Sequence, residues 1–163
     1  MPELAYLSLG SNVGAREQHL REAITRLEVL GHVISISSFY ETEPVEFADQ
    51  PWFLNCAIAL ESTTTPEQLM AAILRIEEEM GRRRTQNRKG PRTIDIDVLL
   101  LGSQIINSPG LTIPHPAMHQ RRFVLEPLSE IAPEAQHPLL KKKVSELREA
   151  LPAGQAVRQF GKD

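Results

Sequence analysis

KGPRTIDIDVLLL, residues 89–101, is the stretch whose reading decides the fold. A strand turns successive side chains to opposite faces. Asp95, Asp97, Leu99 and Leu101 are therefore expected on one side of a sheet, and Ile94, Ile96, Val98 and Leu100 on the other. Two carboxylates two positions apart on a strand have Cα atoms about 6.6 Å apart. That spacing lets both reach hard cations lying over the sheet, and Mg²⁺ prefers oxygen ligands. In two-metal sites the ions stand about 4 Å apart and clamp a phosphate between them.

Just upstream, RRRTQNRKGPR at 82–92 holds Arg82, Arg83, Arg84, Arg88, Lys89 and Arg92 with no acidic residue. A cation-rich loop feeding a strand with paired carboxylates is what a metal–polyphosphate substrate needs. Each half alone has a plainer reading, since basic runs are usually solvated loops and a DxD pair on a strand is common. Six cations flanked by Gly81, Gly90 and Pro91 predict a mobile loop that closes on a polyanion as a lid.

The chain has 163 residues, 41% hydrophobic and 24% charged, which is the make-up of a globular protein able to bury one core. A single domain over 1–163 is expected. The net charge of −3 makes the basic loop a local feature and argues against nucleic-acid binding, which asks for a basic footprint over a whole face. The single cysteine, Cys56, rules out an intramolecular disulfide. Neither a signal peptide nor an apolar run of spanning length is visible, so a cytoplasmic monomer away from the membrane is expected.

Working outward, LAYLSL at 4–9 reads as a buried strand ending in a Gly10-Ser11-Asn12 turn. Residues 16–30 carry Leu20, Ile24, Leu27 and Leu30 at helical spacing, with Gly31 at the C′ position. VISISSFY at 33–40 reads as one strand, followed by a loop from Thr42 to Pro51. WFLNCAIALE at 52–61 is the next strand, with Phe53 and Asn55 on the face of Ala57 and Ala59. An amide there is either a structural residue bonded to backbone or poised to read a planar ligand stacked near Phe53. Residues 64–80 predict a helix with Thr65 as N-cap, Pro66 at N1 and Gly81 at its end. After the strand at 94–101 come a short strand or two at 105–113, a Pro-rich turn at 114–123, an apolar connection at 124–133 and a short helix at 142–151. His115 and His119 have the i,i+4 spacing of a zinc pair but lack an HExxH glutamate or a third ligand. The tail GQAVRQFGKD carries no functional signal.

The order β–α–β–β–α–β predicts an α+β, ferredoxin-like antiparallel sheet with helices packed on one face and an open active-site face. Phe53, Asn55, Asp95 and Asp97 can share that open face.

Taken together, YLSLGSN at 6–12, TEP at 42–44, DQPWFLN at 49–55, GPRTIDIDVLL at 90–100 and IPHPAMHQRRFVLEPL at 113–128 resemble the 6-hydroxymethyl-7,8-dihydropterin pyrophosphokinase family of folate biosynthesis. The resemblance runs over about residues 4–134 in the right order. It implies transfer of pyrophosphate from ATP to the hydroxymethyl group of the pterin, with AMP released. It implies that Asp95 and Asp97 hold two Mg²⁺ ions with the ATP, and that Arg82 and Arg92 close over the triphosphate. Glu77, Arg84, Thr112, His115 and Arg121 match positions on the ATP side. Thr42, Pro44, Val45, Phe53, Asn55 and Phe123 match the pterin pocket, the two phenylalanines on either face of the ring. Lys89 stands where many relatives carry an aromatic residue, and Glu46 where glycine is frequent. No GxxxxGK[ST] loop and no kinase HRD or DFG set is present. A metal-dependent nuclease and a non-catalytic ligand-binding module are the competing readings of the same residues.

Overall fold

The computed structural model describes residues 3–43, 51–81, 93–154 and 156–161. Its elements run β1 (Glu3–Ser11), α1 (Arg16–Leu27), β2 (Gly31–Ile36), β3 (Tyr40–Thr42), β4 (Phe53–Ser62), α2 (Pro66–Glu79) and β5 (Asp95–Leu101). The hairpin β6 (Ile106–Ser108) and β7 (Leu111–Ile113) follows, then a 3-10 turn at Met118–Gln120 and α3 (Arg122–Ile131). The short pair β8 (Gln136–His137) and β9 (Lys142–Lys143), α4 (Val144–Glu149) and β10 (Val157–Gln159) complete the chain.

β4 and β1 are the spine of the sheet. β1 lies between β4 and β5, β4 also pairs with β2 and β3, and β10 adds to the edge of β3. Every pairing is antiparallel. This is the split βαβ order expected from the sequence, with α1 and α2 on one face. Leu7 and Leu9 of β1, Cys56, Ile58 and Leu60 of β4, and Ile96 of β5 meet Leu20, Ile24 and Leu27 of α1 and Leu69 and Ile73 of α2 there. The expected α2 cap is present: the Thr65 hydroxyl accepts from Gln68 N at 3.1 Å, and the Gln68 side chain accepts from Thr65 N at 3.0 Å.

Several local expectations are corrected. The strand read over 33–40 is two strands. Between them the Ser37 hydroxyl, not a backbone carbonyl, accepts the Ala57 N–H at 2.9 Å, so the strand breaks without orphaning its partner. Gly10 and Ser11 belong to β1 rather than to a turn. Helix α1 stops at Leu27, and Gly31 opens β2. Its reason is close approach: a Cβ at Gly31 would lie 2.1 Å from the Glu61 carbonyl oxygen on β4. A register shift between Tyr6 and Leu7 gives β5 one residue more than its partner, so Leu101 joins the α1–α2 side while Leu99 and Leu100 both join the other.

The apolar connection at 124–133 is in fact α3. Val124, Leu125 and Leu128 pack with Ala57, Leu99 and Leu100, and α4 adds Val144 and Leu147 behind them. Pro127 inside the helix hides it from a sequence reading, because proline removes one helical hydrogen bond. The second face is thus covered at one end by α3 and α4 and is left to the site at the other.

Candidate active site

The site is a consequence of register. Across the sheet, Asp95 stands beside Gly10, Gly10 beside Asn55, and Asn55 beside Tyr40. In the next rows Asp97 faces Ser8 and Ser8 faces Ala57, while Phe53 faces Thr42. Strands lie about 4.8 Å apart, so Asp95 and Asn55 are about 10 Å apart with Gly10 between them. A side chain at position 10 would fill that gap: its Cβ would stand 2.6 Å from Asn55 Nδ2 and 3.5 Å from Phe53 Cδ1. The acidic and the aromatic-amide halves of the face therefore share a floor made of Gly10 and the buried Ser8.

Asn55 is buried, and its Oδ1 accepts the Thr42 hydroxyl at 2.7 Å. That bond fixes the amide's orientation. The partner is a side chain from the neighbouring strand, not backbone, and it leaves the Nδ2 hydrogens as the group to be presented. Thr42 is itself 2% exposed, so a buried polar pair underlies this side of the site.

On the acidic side, Asp95 and Asp97 are half-buried on one face of β5, the Asp97 side chain 34% exposed. His115 reaches them from the loop after β7, where its backbone N–H donates to the Leu99 carbonyl at 3.0 Å. The His115 Nδ1 accepts from Ala117 N at 3.1 Å, which puts the ring proton on Nε2, 4.0 Å from Asp97 Oδ1. Burial lowers the His115 pKa, the Arg121 guanidinium lowers it further, and the Asp95 carboxylate opposes both. Arg121 lies 5.5 Å from the centroid of the Phe123 ring at the start of α3. Phe123 packs against the α3–α4 cluster, on the same face as Ala57.

Thr42, Phe53, Asn55, Asp95, Asp97, His115, Arg121 and Phe123 thus come to one face. Glu77 does not. It is buried on α2, under the opposite face, where its Oε2 accepts the Ile96 N–H at 2.8 Å, between the two aspartates in sequence. Thr112 is exposed on β7, paired across the hairpin with Asn107. Arg82, Arg84, Arg92, Pro44 and Val45 lie outside the described residues, as does the loop expected to act as a lid. Sequence reading passed over Arg16 and Glu130, while Asn12 lies in the YLSLGSN segment that carries the resemblance. Asn12 Nδ2 donates to the Pro51 carbonyl at 3.3 Å and Arg16 to the Trp52 carbonyl at 2.9 Å, which together hold the entry to β4. Glu130 of α3 accepts from Ser38 N, Ser38 Oγ and Tyr40 OH at 2.9, 3.1 and 2.6 Å. The YLSLGSN and DQPWFLN segments hinted at the Asn12 contact, and no motif pointed to Glu130.

The donor set can be tested for its fit to Mg²⁺. Among the described residues, no group of three or more His, Cys, Asp or Glu side chains could hold a metal by itself. Two carboxylates on one strand face are too few for an all-protein cage. They suit a cation that brings phosphate oxygens and water as its other ligands. The zinc pair weighed from the sequence is not formed: His115 is beside Asp97, while His119 packs edge-on to His137 with ring centroids 6.2 Å apart.

Solved structures share this architecture. One, described as HPPK-DHPS in complex with substrates, superposes with a TM-score of 0.74 at 15% identity, over 92% of this chain and 43% of that one. The Bacillus subtilis protein named 2-amino-4-hydroxy-6-hydroxymethyldihydropteridine pyrophosphokinase is 43% identical over 138 residues, 83% of this chain and 82% of its own length. The Pneumocystis carinii folic acid synthesis protein fol1 is 42% identical over 138 residues, 84% of this chain but 18% of that longer protein. The family sequence pattern described as 7,8-dihydro-6-hydroxymethylpterin-pyrophosphokinase (HPPK) matches residues 6–133. That span carries the Asp95–Asp97 strand, the Thr42–Asn55 pair and both phenylalanines, and by it the chain belongs to the 7,8-dihydro-6-hydroxymethylpterin-pyrophosphokinase family.

Proposed function

We propose that the face built by β3, β4, β1 and β5 transfers pyrophosphate from ATP to the hydroxymethyl group of 6-hydroxymethyl-7,8-dihydropterin, releasing AMP. The reaction is that of the family and of relatives about 40% identical over most of their own length, and it is a step of folate biosynthesis. The observation that carries the assignment of residues is the row Asp95–Gly10–Asn55. It supports the reading because a carboxylate and an amide stand about two strand spacings apart on one face, with only Gly10 between them.

Transfer of this kind asks for positioning and charge neutralisation more than for covalent chemistry by the protein. On the heterocycle side, Asn55 is oriented by Thr42 to read the pterin edge, and Phe53 and Phe123 take its two faces. Pro44 and Val45 are assigned to the same pocket by family resemblance. On the phosphate side, Asp95 and Asp97 would hold two Mg²⁺ ions arriving with ATP, which would neutralise phosphate charge and acidify the attacking hydroxyl. Arg82, Arg84 and Arg92 are assigned to the triphosphate by the same resemblance, with Arg82 and Arg92 closing as a lid. His115 is neutral at pH 7, since its pKa is lowered, so it offers an Nε2 donor beside Asp97 rather than a second cation. Arg121 supplies fixed positive charge next to it. Glu77 supports the nucleotide side from below by fixing the Ile96 backbone between the two aspartates. Thr112 is assigned to the rim. The protein acts as a single-domain monomer in the cytoplasm. None of the helices among the described residues is long and apolar enough to cross a membrane.

The direct test is incubation with ATP, Mg²⁺ and the hydroxymethyl-dihydropterin, followed by nucleotide analysis. AMP in step with pterin consumption is expected. ADP would mean transfer of one phosphoryl group and would overturn the reading. The nuclease reading predicts instead a salt-sensitive affinity for nucleic acid.

A further inference from the structure

The family match ends at residue 133, yet the chain returns to the site far beyond it. Strand β10 pairs with β3 in the register Val157↔Thr42, Arg158↔Glu41 and Gln159↔Tyr40. Just outside this ladder, Glu43 N donates to the Ala156 carbonyl at 3.2 Å and Ala156 N donates to a Glu43 carboxylate oxygen at 2.8 Å. The same three residues of β3 pair on their other side with Asn55, Leu54 and Phe53 of β4.

Arg158 is the residue of this strand that reaches beyond its neighbour. Its guanidinium donates to Glu41 Oε1 at 3.2 Å and lies over the Trp52 ring, 4.8 Å from the centroid. The other oxygen of Glu41 is taken by Arg16 at 3.0 Å, and Arg16 also holds the Trp52 carbonyl at 2.9 Å. Trp52 is thus fixed by its carbonyl from α1 and by its ring from β10, and the next residue is Phe53. We infer that β10, acting through Arg158, is a strap that positions Trp52 and hence Phe53 on the pterin side of the site.

An exposed ion pair adds little to global stability, and the Arg158 side chain is 68% exposed. Its effect is on orientation: without it the indole regains freedom one residue from the stacking ring. The inference rests on the proposed seat of the pterin against Phe53.

The test measures KM for the pterin and for MgATP in the full-length protein and its Arg158→Ala, Arg158→Lys and Phe53→Ala variants. Trp52 is the only tryptophan, so its emission in the ligand-free protein reports the indole directly. Arg158→Ala should raise the pterin KM about threefold, the scale of one exposed cation–π contact, with the MgATP KM unchanged. Its tryptophan emission should shift to the red, and the melting temperature should stay near the parent's. Arg158→Lys should recover part of both effects. A parent-like pterin KM in Arg158→Ala beside a raised one in Phe53→Ala would overturn the strap and leave the pterin seat standing. Parent-like values in both would overturn the seat and the strap with it. Equal rises in both KM values with a lowered melting temperature would make β10 a merely structural strand, and would also overturn the inference.

Discussion

Gly10 shows how little room separates the two halves of the site. A Cβ added there would approach Asn55 Nδ2 to 2.6 Å, and Asn55 cannot simply swing away because Thr42 holds its Oδ1 at 2.7 Å. Gly10→Ala should therefore displace the amide and raise the pterin KM by roughly tenfold or more, since small misplacements of a positioning group carry large penalties. MgATP binding, followed by calorimetry, should change much less. If MgATP affinity fell while the pterin KM held, the amide would have been placed on the wrong substrate. Asp97→Asn is the contrasting change on the acidic side. It keeps shape and hydrogen-bonding capacity and removes a charge, so the fold should persist while turnover falls by about 10²-fold or more. Parent-like turnover at ordinary Mg²⁺ would sink the carboxylate pair as the metal-holding group.

Among the elements, α3 links the two phenylalanines proposed to take the faces of the pterin. Phe123 lies in its first turn, and Glu130 near its end gathers Ser38 N, Ser38 Oγ and Tyr40 OH, tying the helix to β3, which pairs with the strand of Phe53. Burial, then the hydrogen bond to Glu130, pushes the Tyr40 pKa up, so the phenol remains a donor beyond the ordinary tyrosine value of about 10. Tyr40→Phe removes one donor to a partly solvated carboxylate and should cost about 1 kcal/mol, read as about 3 °C in Tm. Glu130→Ala strands three donors and should cost about twice that. Equal stability for parent and Glu130→Ala in urea melts would show the junction to be slack. This junction was invisible in the sequence, because two of its groups come from Ser38 in a strand break that periodicity does not report. Asp95 and Asp97 were legible as a pair because strand alternation alone puts them on one face, whereas the register that brings Asn55 to that face is not a local pattern. Thr65, Pro66 and Gly81 were legible because helix ends have their own chemistry. Leu101 was misplaced for the same reason in reverse: a bulge breaks the alternation that the reading relied on. β10 was missed because three residues pairing with a strand more than a hundred positions earlier leave no local pattern.

Across the whole molecule, the way histidines are buried sets a pH limit. His137 is 3% exposed, and its Nδ1 accepts from Leu139 N at 3.3 Å and Leu140 N at 3.1 Å. Protonating that nitrogen would set an N–H against two N–H donors. Burial lowers the His137 pKa first, and the neighbouring His119 lowers it further. The His115 pKa is lowered as well, by burial and by Arg121. Both groups therefore have folded pKa values below the ordinary value of about 6.5, so the unfolded chain binds protons first as pH falls. Their contribution to stability is complete above the unfolded pKa. It is lost as pH drops below that value and levels off once the native histidines also titrate. The unfolding free energy of the ligand-free protein should accordingly be flat from about pH 8 to 7 and then decline. The slope should be at most about 1.4 kcal/mol per pH unit for each histidine. Tyr40, with its pKa raised, sets the opposite limit, its contribution falling as pH rises past about 10. Urea melts at half-unit intervals between pH 8 and 5 would read the acid limb directly. His137→Gln should flatten it in part, and the double variant with His115→Gln should flatten it further. An acid slope identical in the parent and the double variant would place the lost protons elsewhere in the fold.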